Sequence, residues 1–162
     1  MGDLGVEDEG VGTGSDLVQT GDGEGRRGHV RGARLVAHAG GDLALMSALA
    51  KEVLEQAGED RGFIAAHTEG FDGFAAHVRR LEWDRLVEQS GVGRETIRRL
   101  AKMYLAARNV VIGWSMGITH HSHGTHNVLS IANLALLRGM VGRSHAGLMP
   151  IRGHSNVQGL GT

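Results

Sequence analysis

Beyond residue 40, apolar residues recur at intervals of three and four, which is the spacing of one buried face of an α-helix. The first such segment predicts a helix that is capped by Asp42 and stopped by Gly58. The same periodicity predicts three more helices, over about residues 71–78, 83–87 and 94–107. The central part of the chain is therefore expected to be helical.

The pattern changes after the fourth of these helices. The apolar run Val110-Val111-Ile112 is typical of a strand that is buried on both faces in a parallel sheet. Polar residues and glycines over 114–124 predict a loop, and the apolar segment 125–138 predicts a helix that is closed by Gly139. The remaining residues, 140–162, have the composition of a loop.

A buried strand needs strand neighbours, yet this pattern offers a single convincing strand. The chain is long enough for one domain with a modest core, at 162 residues. We therefore expect an α/β fold that is mostly helical as it stands. The chain is expected to be a fragment, or to dock onto another chain that completes the sheet.

Residues 1–38 differ from the rest of the chain. The first 32 residues contain ten glycines and no aromatic residue, and seven acids precede Arg26. A segment of this composition cannot bury enough apolar surface to offset the entropy lost on ordering. We expect residues 1–38 to be a disordered extension, or a spurious one produced by a misplaced start, and residues 39–162 to form the domain.

Composition limits the chemistry and the location of the chain. It contains no cysteine, which excludes disulfides, iron–sulfur ligation and thiolate–zinc sites within it. No apolar run reaches the roughly 18–20 residues that cross a bilayer, and the N-terminus lacks the pattern of a secretory signal. We expect a cytoplasmic protein with no membrane segment and no nucleic-acid partner.

The net charge of -1 conceals a strong asymmetry along the chain. Glu95 is the last acidic residue, and residues 96–162 contain seven arginines and lysines. The second half therefore offers no carboxylate as a metal ligand or catalytic acid. Its positive field attracts anions, phosphates above all, unless it is only one face of a surface that is acidic elsewhere.

The segment after the predicted strand matches a motif of serine hydrolases. Gly113-Trp114-Ser115-Met116-Gly117 fits G-x-S-x-G, the strand-to-helix turn that carries a nucleophilic serine. Ser115 is thus a candidate nucleophile in an α/β-type hydrolase. Two features oppose this alternative: no helix is predicted directly after the serine, and no acid follows Glu95 to complete a triad.

Histidines make the same segment a candidate metal site. His120, His121, His123 and His126 could together bind zinc, nickel or copper through their imidazoles. Their spacing matches no zinc signature, and neither cysteine nor carboxylate is available nearby to join them. Such histidines also serve as hydrogen-bonding or stacking residues.

A third interpretation uses the whole stretch. In open α/β sheets, ligands bind beyond the carboxyl ends of strands, where loop amides receive phosphate. Gly113, Gly117 and Gly124 would let the backbone approach a ligand, and the donor-rich loop 150–156 adds the guanidinium of Arg152. This pattern indicates a nucleotide-like or anionic cofactor, although the same residues could merely form turns.

The stretch 113–159 carries a more specific set of motifs. It contains G-x-x-x-G-x-T at 113–119, N-V-x-x-I-A-N-L-A-L-L at 127–137, G-x-x-G-x-x-x-A-G at 139–147 and P-x-R-G-x-x-N-V-Q-G at 150–159. In order and spacing these motifs resemble the molybdopterin-dependent oxidoreductases, and most closely their formate dehydrogenase alpha-subunit-like branch. A weaker resemblance covers the rest of 39–162.

The resemblance implies a partial slice of a three-layer, parallel-sheet (Rossmann-like) cofactor-binding domain. The family binds molybdenum or tungsten through two molybdopterin guanine dinucleotides, and this chain would contribute part of that site. The implied cofactor-binding residues are Gly113, Met116, Gly117, Thr119, His120 and Gly153. No residue of the chain is expected to ligate the metal.

The resemblance also implies two catalytic residues. Arg152 matches the arginine that receives the substrate carboxylate in formate dehydrogenases, and His154 is positioned in sequence to accept or relay a proton. Relatives commonly have glutamine at the positions of His120 and His154. The implied substrate is a small anion such as formate.

The activity implied by the resemblance requires more than these residues. Family members carry iron–sulfur cysteines and further cofactor-enclosing domains that this chain does not contain. The expected partners are therefore the rest of a parent polypeptide or other subunits. The isolated chain is expected to be inactive.

Overall fold

The computed structural model describes residues 35–153, which form a mostly helical α/β structure with a two-stranded parallel sheet. In chain order the elements are α1 Asp42–Glu55, α2 Arg61–His67, α3 Phe71–Arg80, α4 Trp83–Ser90, α5 Arg94–Ala106, β1 Val111–Trp114, α6 Met116–Thr119, α7 Gly124–Leu137 and β2 Gly147–Pro150. No helix in this range is long and apolar enough to span a membrane.

Helix α1 lies at the centre of the core and contacts α3, α4, α5 and α7. Its small and branched apolar residues allow this close approach, and Ala48 and Val53 are completely buried. Burying one side chain such as Val53 contributes about 1.5–3 kcal/mol. The predicted helices of the central part are confirmed, because their 3.6-residue periodicity already described the faces that meet here.

The ends of α1 differ from the sequence prediction. Asp42 is the first helical residue and Gly41 occupies the cap position, so Asp42 is not the cap. The helix ends at Glu55, and the left-handed residue that follows is Ala57, with φ 49°. Gly58 donates its N–H to the Val53 carbonyl at 2.9 Å, as in a Schellman motif, and closes the end in that way.

The short helix α2 was not predicted from the periodicity. Asp60 caps it by accepting a hydrogen bond from the backbone N–H of Phe63 at 2.9 Å. Within this seven-residue helix only Ile64 is buried. A single buried residue cannot produce an apolar period, and Asp60 was the only local signal.

The last four backbone carbonyls of α7 all have hydrogen-bond partners. A helix leaves its last four carbonyls without intrahelical partners. Here the Leu134 carbonyl accepts from the Tyr104 hydroxyl at 2.9 Å, and the Leu137 carbonyl accepts from the Asp60 N–H at 2.9 Å. The carbonyls of Ala135 and Leu136 accept from the turn that contains Gly139 (φ 61°), which confirms Gly139 as the closing residue.

The end of α7 is also tied to two other helices. Arg138 donates from Nη1 to the Gly58 carbonyl after α1 and from Nη2 to the Leu105 carbonyl in α5, both at 3.0 Å. Together with Tyr104, this arginine fixes α7 against α1 and α5. The helix that borders the candidate site is thus held by the core.

Tyr104→Phe should lower the free energy of unfolding by about 1–2 kcal/mol, because the buried Leu134 carbonyl loses its partner. Burial raises the pKa of the Tyr104 hydroxyl well above its usual range, while the nearby Arg138 charge lowers it in part. The unfolded chain ionises this group near pH 10, so its stabilisation is full below that pH and is lost as pH rises above it. Between pH 7 and pH 10.5 the unsubstituted chain should therefore lose more of its free energy of unfolding than Tyr104→Phe, which urea unfolding at the two pH values measures. An equal loss in the two proteins would contradict this expectation.

The strand prediction was incomplete. β1 and β2 pair in parallel, with Val111 opposite Gly147 and Trp114 opposite Pro150, so part of the tail that was predicted to be a loop is a strand. Gly147 and Pro150 concealed this strand because both residues are typical of turns. Pro150 is tolerated because Gly147 and Ile151 donate their N–H groups toward β1, and the alternation along the strand turns the nitrogen of Pro150 away from it.

The sheet is covered on one side only within the described residues. Trp114 is buried with Ile118 and Ile131, whereas Val111, Met149 and Ile151 on the other side are about half exposed, at 48%, 49% and 51%. The prediction that the strand is buried on both faces is therefore wrong for this part of the chain.

The folded part extends back to Leu35. Leu35 and Ala37 pack against the core, and His38 donates its N–H to the Ser90 carbonyl at 2.9 Å. Residues 1–34 of the predicted extension lie outside the described residues.

Deleting residues 1–34 should leave the unfolding midpoint in urea unchanged, whereas deleting residues 1–38 should cost about 1–2 kcal/mol through the lost apolar contacts and hydrogen bond. The two truncations are matched controls for each other. Equal stability of both, or a loss with the shorter truncation, would contradict this expectation.

Candidate functional site

The candidate site lies where the two parallel strands end. Because β1 and β2 run in parallel, their carboxyl ends meet at one edge of the sheet, and such edges are where open α/β sheets bind ligands. Ser115 and α6 follow β1 at this edge, and Ile151, Arg152 and Gly153 follow β2. We call residues 115–120, which follow β1, and residues 151–153, which follow β2, the two strand exits. The Ile151 N–H donates to the Trp114 carbonyl at 2.7 Å, which holds these two strand exits side by side.

A short helix occupies most of the first exit, where the sequence predicted a loop. α6 begins at Met116, directly after Ser115, and its end is closed by a hydrogen bond from the His120 N–H to the Met116 carbonyl at 2.8 Å. Four residues are too few to show a helical period, which explains why the pattern predicted a loop. Gly117, Thr119 and His120 are exposed on this turn.

Two predicted site residues from different loops touch each other. The Met116 side chain lies so close to Gly153 that a Cβ on Gly153 would collide with its Sδ and Cε atoms. Arg152 is the exposed neighbour of Gly153. The structure therefore brings the turn after β1 next to the loop that carries Arg152. His154 lies outside the described residues.

Gly113 lies at the centre of the open face of the sheet. It pairs with Met149, and a Cβ there would make ordinary contacts with Met149 and Ile151, the nearest at 3.4 Å from the Ile151 Cδ1. This face of Gly113 is exposed. The backbone at Gly113 is therefore accessible, and a larger residue would fit there without a steric clash.

The junction between α6 and α7 contains a residue that the sequence interpretation did not single out. Asn127 is 1% exposed and donates from Nδ2 to the Ile118 carbonyl at 2.9 Å. At the start of α7, a Cβ on Gly124 would collide with the Thr119 backbone. The only sequence signal for Asn127 was its place on the same helical face as Ile131 and Leu134, which are buried apolar residues.

The histidines of this segment make local contacts. His121 Nε2 lies 2.8 Å from the Gly117 carbonyl oxygen, and the rings of His121 and His123 stack with centroids 5.4 Å apart. Within residues 35–153 no group of three or more histidine, aspartate or glutamate side chains is arranged to hold a metal ion. The contacts that the structure describes match the hydrogen-bonding and stacking interpretation.

Ser115 lacks the backbone expected of a nucleophile elbow. That turn is sharp and strained, whereas Ser115 has φ −137° and ψ −156°, an ordinary extended conformation. The sequence objection that no helix follows the serine was wrong, since α6 begins at once. The objection from charge remains, because no acid follows Glu95 in the chain. Nothing in the described site supports a hydrolase.

The electrostatics of the site favour an anion. Every charged side chain after Glu95 is basic, so both strand exits lie in a part of the sequence without carboxylates. Arg152 is exposed at the edge where the exits meet. Arginine holds a carboxylate or phosphate through two parallel hydrogen bonds.

Comparison with known proteins gives several curated relatives, although no family model matches the chain. It is 38% identical over 126 residues to an uncharacterized oxidoreductase of Mycobacterium tuberculosis and 42% identical over 130 residues to the protein YdeP of Escherichia coli. It is 37% identical over 120 residues to formate dehydrogenase H of Escherichia coli. Each match covers 74% of this chain but only 16–17% of the relative.

A solved structure shows the same fold over much of the chain. Acetylene hydratase from Pelobacter acetylenicus matches with a TM-score of 0.63 and 18% sequence identity. The match covers 67% of this chain and 15% of that protein. The chain therefore spans about one sixth of the length of the proteins that it resembles.

Proposed function

Because this chain is homologous to one segment of the formate dehydrogenase branch of the molybdopterin-dependent oxidoreductases, we propose that it forms part of a pterin cofactor site and supplies an arginine for a small anionic substrate. The substrate class that fits a single guanidinium best is a small carboxylate such as formate. The rest of a parent polypeptide or other subunits would complete the enzyme.

The observation that carries this proposal is the contact between the two strand exits. Met116 lies against Gly153, so the turn proposed to hold a pterin and the loop that carries Arg152 form one continuous surface. A cofactor held by the first exit would lie near a substrate held by the second. This adjacency depends on the parallel pairing of β1 and β2.

The residues present fit a bulky anionic cofactor. The Met116 side chain packs against Gly153, Gly113 and Gly117 expose backbone, and Thr119 and His120 are exposed polar residues. We propose that Gly113, Met116, Gly117, Thr119, His120 and Gly153 hold the cofactor in its guanine dinucleotide form, in the three-layer setting of the family. The absence of carboxylates after Glu95 keeps repulsion of phosphate low.

The bound molybdenum or tungsten cofactor would supply the two-electron oxidation. Arg152 would hold the substrate carboxylate through two parallel hydrogen bonds and so fix its orientation. Oxidation of formate to carbon dioxide releases one proton, and His154 would accept it, since imidazole changes its charge near neutral pH. The chain itself ligates no metal in this proposal.

Several features of the whole enzyme would lie outside this chain. It contains no cysteine, so an iron–sulfur cluster and a thiolate ligand of the metal would come from elsewhere. We therefore propose that the chain alone has no redox activity. We propose separately that the complete protein is cytoplasmic.

A chimera of formate dehydrogenase H tests this function. Its matched segment would be replaced by residues 35–162 of this chain, since that relative is 37% identical here. We expect the chimera to retain molybdenum or tungsten and to oxidise formate. A folded chimera with no bound metal would overturn the cofactor assignment, whereas bound metal without formate oxidation would overturn the choice of substrate.

In the same chimera, Ser115→Ala should change formate oxidation less than tenfold, because Ser115 has an ordinary extended backbone and only supports the turn. Fluorophosphonate labelling gives a second measurement. Covalent labelling of Ser115 in the folded chain would contradict this expectation and favour the hydrolase, for which substitution abolishes activity.

A further inference from the structure

Asn127 is an unusual residue for its surroundings. It lies in the first turn of α7 and is 1% exposed, and the buried residues that follow it along the helix are apolar. A buried amide is unfavourable unless hydrogen bonds replace those lost with water. Its Oδ1 is buried and has no hydrogen-bond partner within the part of the chain that the structure describes. Packing of α7 alone therefore gives no reason for an amide here.

Within the described residues, the side chain of Asn127 makes one hydrogen bond, and it is to α6. Its Nδ2 donates to the Ile118 carbonyl at 2.9 Å, which also fixes the orientation of the amide, since only the NH₂ group can donate to a carbonyl. A helix of four residues is not stable by itself, and a helix this short leaves most of its carbonyls without intrahelical partners. The Asn127 amide satisfies one of these carbonyls.

The position of α6 decides where the proposed cofactor residues lie. Met116, Gly117 and Thr119 all belong to this helix. Gly124 brings the α7 backbone against Thr119, and Asn127 bonds to the neighbouring Ile118, so α6 meets α7 at two adjacent residues. Movement here would also displace Met116 from Gly153, and with it the contact between the two strand exits.

We propose that Asn127 is a positioning residue that anchors α6 on α7 and thereby holds the cofactor turn in place. This role rests on the proposed function for its consequence, but the anchoring itself is a property of the chain alone. Asn127 need not touch cofactor or substrate. It acts through the backbone of Ile118.

Hydrogen exchange of the full 162-residue chain tests the anchor. Asn127→Leu keeps the volume and removes the donor, so exchange at the amides of Ile118 and His120, which donate to the Ser115 and Met116 carbonyls, should rise at least tenfold while amides of α1 and α5 keep their protection. Leu134→Val is the matched control, because it weakens the packing of the same helix without touching α6. An increase below twofold in Asn127→Leu, or an equal increase in the control, would overturn the proposal.

Asn127→Asp supplies a rescue that simple packing would not produce. An ionised carboxylate cannot donate to the Ile118 carbonyl, but a protonated one can. Protection of α6, expressed relative to the unfolded rate at each pH, should therefore be lost at neutral pH and return as the introduced carboxyl is protonated. Protection that is independent of pH would overturn the proposed donor role.

The consequence for the cofactor is measured in the formate dehydrogenase H chimera. Asn127→Leu should reduce bound metal per protein at least fivefold relative to the unsubstituted chimera. Faster exchange of the α6 amides together with normal metal content would show that the position of α6 does not affect cofactor binding, and would overturn this part of the proposal. An unsubstituted chimera without metal would instead refute the proposed function, and the exchange experiment would still decide whether Asn127 anchors α6.

Discussion

Arg152→Lys in the formate dehydrogenase H chimera should reduce kcat for formate oxidation on the order of 100-fold while metal content stays unchanged. Lysine keeps the positive charge but loses the planar fork that can bind both carboxylate oxygens. The substrate would therefore still be attracted but would be misoriented. Arg152 is exposed at the edge where both strand exits meet.

The control for this experiment is Arg99→Lys on the exposed surface of α5. It makes the same chemical change away from the site and should leave both kcat and metal content within twofold. Loss of metal in Arg152→Lys, with normal turnover for each remaining metal, would show that Arg152 holds the cofactor instead. The substrate assignment would then be wrong.

Gly124→Ala should destabilise the chain by about 2–3 kcal/mol, measured by urea unfolding at neutral pH. The new Cβ would collide with the carbonyl oxygen, carbon and Cα of Thr119, and backbone atoms cannot turn aside as a flexible side chain can. Relief of the collision requires α6 to move away from α7. We therefore also expect the Asn127 hydrogen bond to Ile118 to weaken in this variant.

Gly73→Ala is the matched control for the glycine substitution. Gly73 lies within α3, and a Cβ there meets no atom within 4 Å. Alanine lowers the entropy of the unfolded chain and favours the helix, so this variant should be about 0.5–1 kcal/mol more stable. Changes of the same sign and size in the two variants would contradict the steric explanation for Gly124.

One side of the sheet is left uncovered by the described residues. Val111, Met149 and Ile151 form an apolar face of the sheet, and Arg152 follows it at the carboxyl end of β2. The chain spans about one sixth of the length of the relatives that it matches. In those relatives, other segments of the same polypeptide can cover such a face. This is why the experiments on turnover use a chimera and those on stability use the chain itself.

The sequence by itself determined the helices of the core and the charge of the site. Local periodicity predicted α1, α3, α4, α5 and α7, because each buries one continuous face whose residues are three or four positions apart. The distribution of acids, which ends at Glu95, likewise needs no structure to predict an anion-attracting second half. The order and spacing of the motifs over 113–159 by themselves indicate the family.

Only the tertiary structure decided how the site is assembled. β2 contains a glycine and a proline and acquires its strand conformation by pairing with β1, a contact between residues far apart in the chain. α6 is a single turn, held by the Asn127 hydrogen bond and by the close approach of Gly124. Neither element has a local period, since each is stabilised by a partner in another element rather than by its own sequence. The meeting of Met116 with Gly153, beside Arg152, follows from the pairing of β2 with β1 and the packing of α6 on α7.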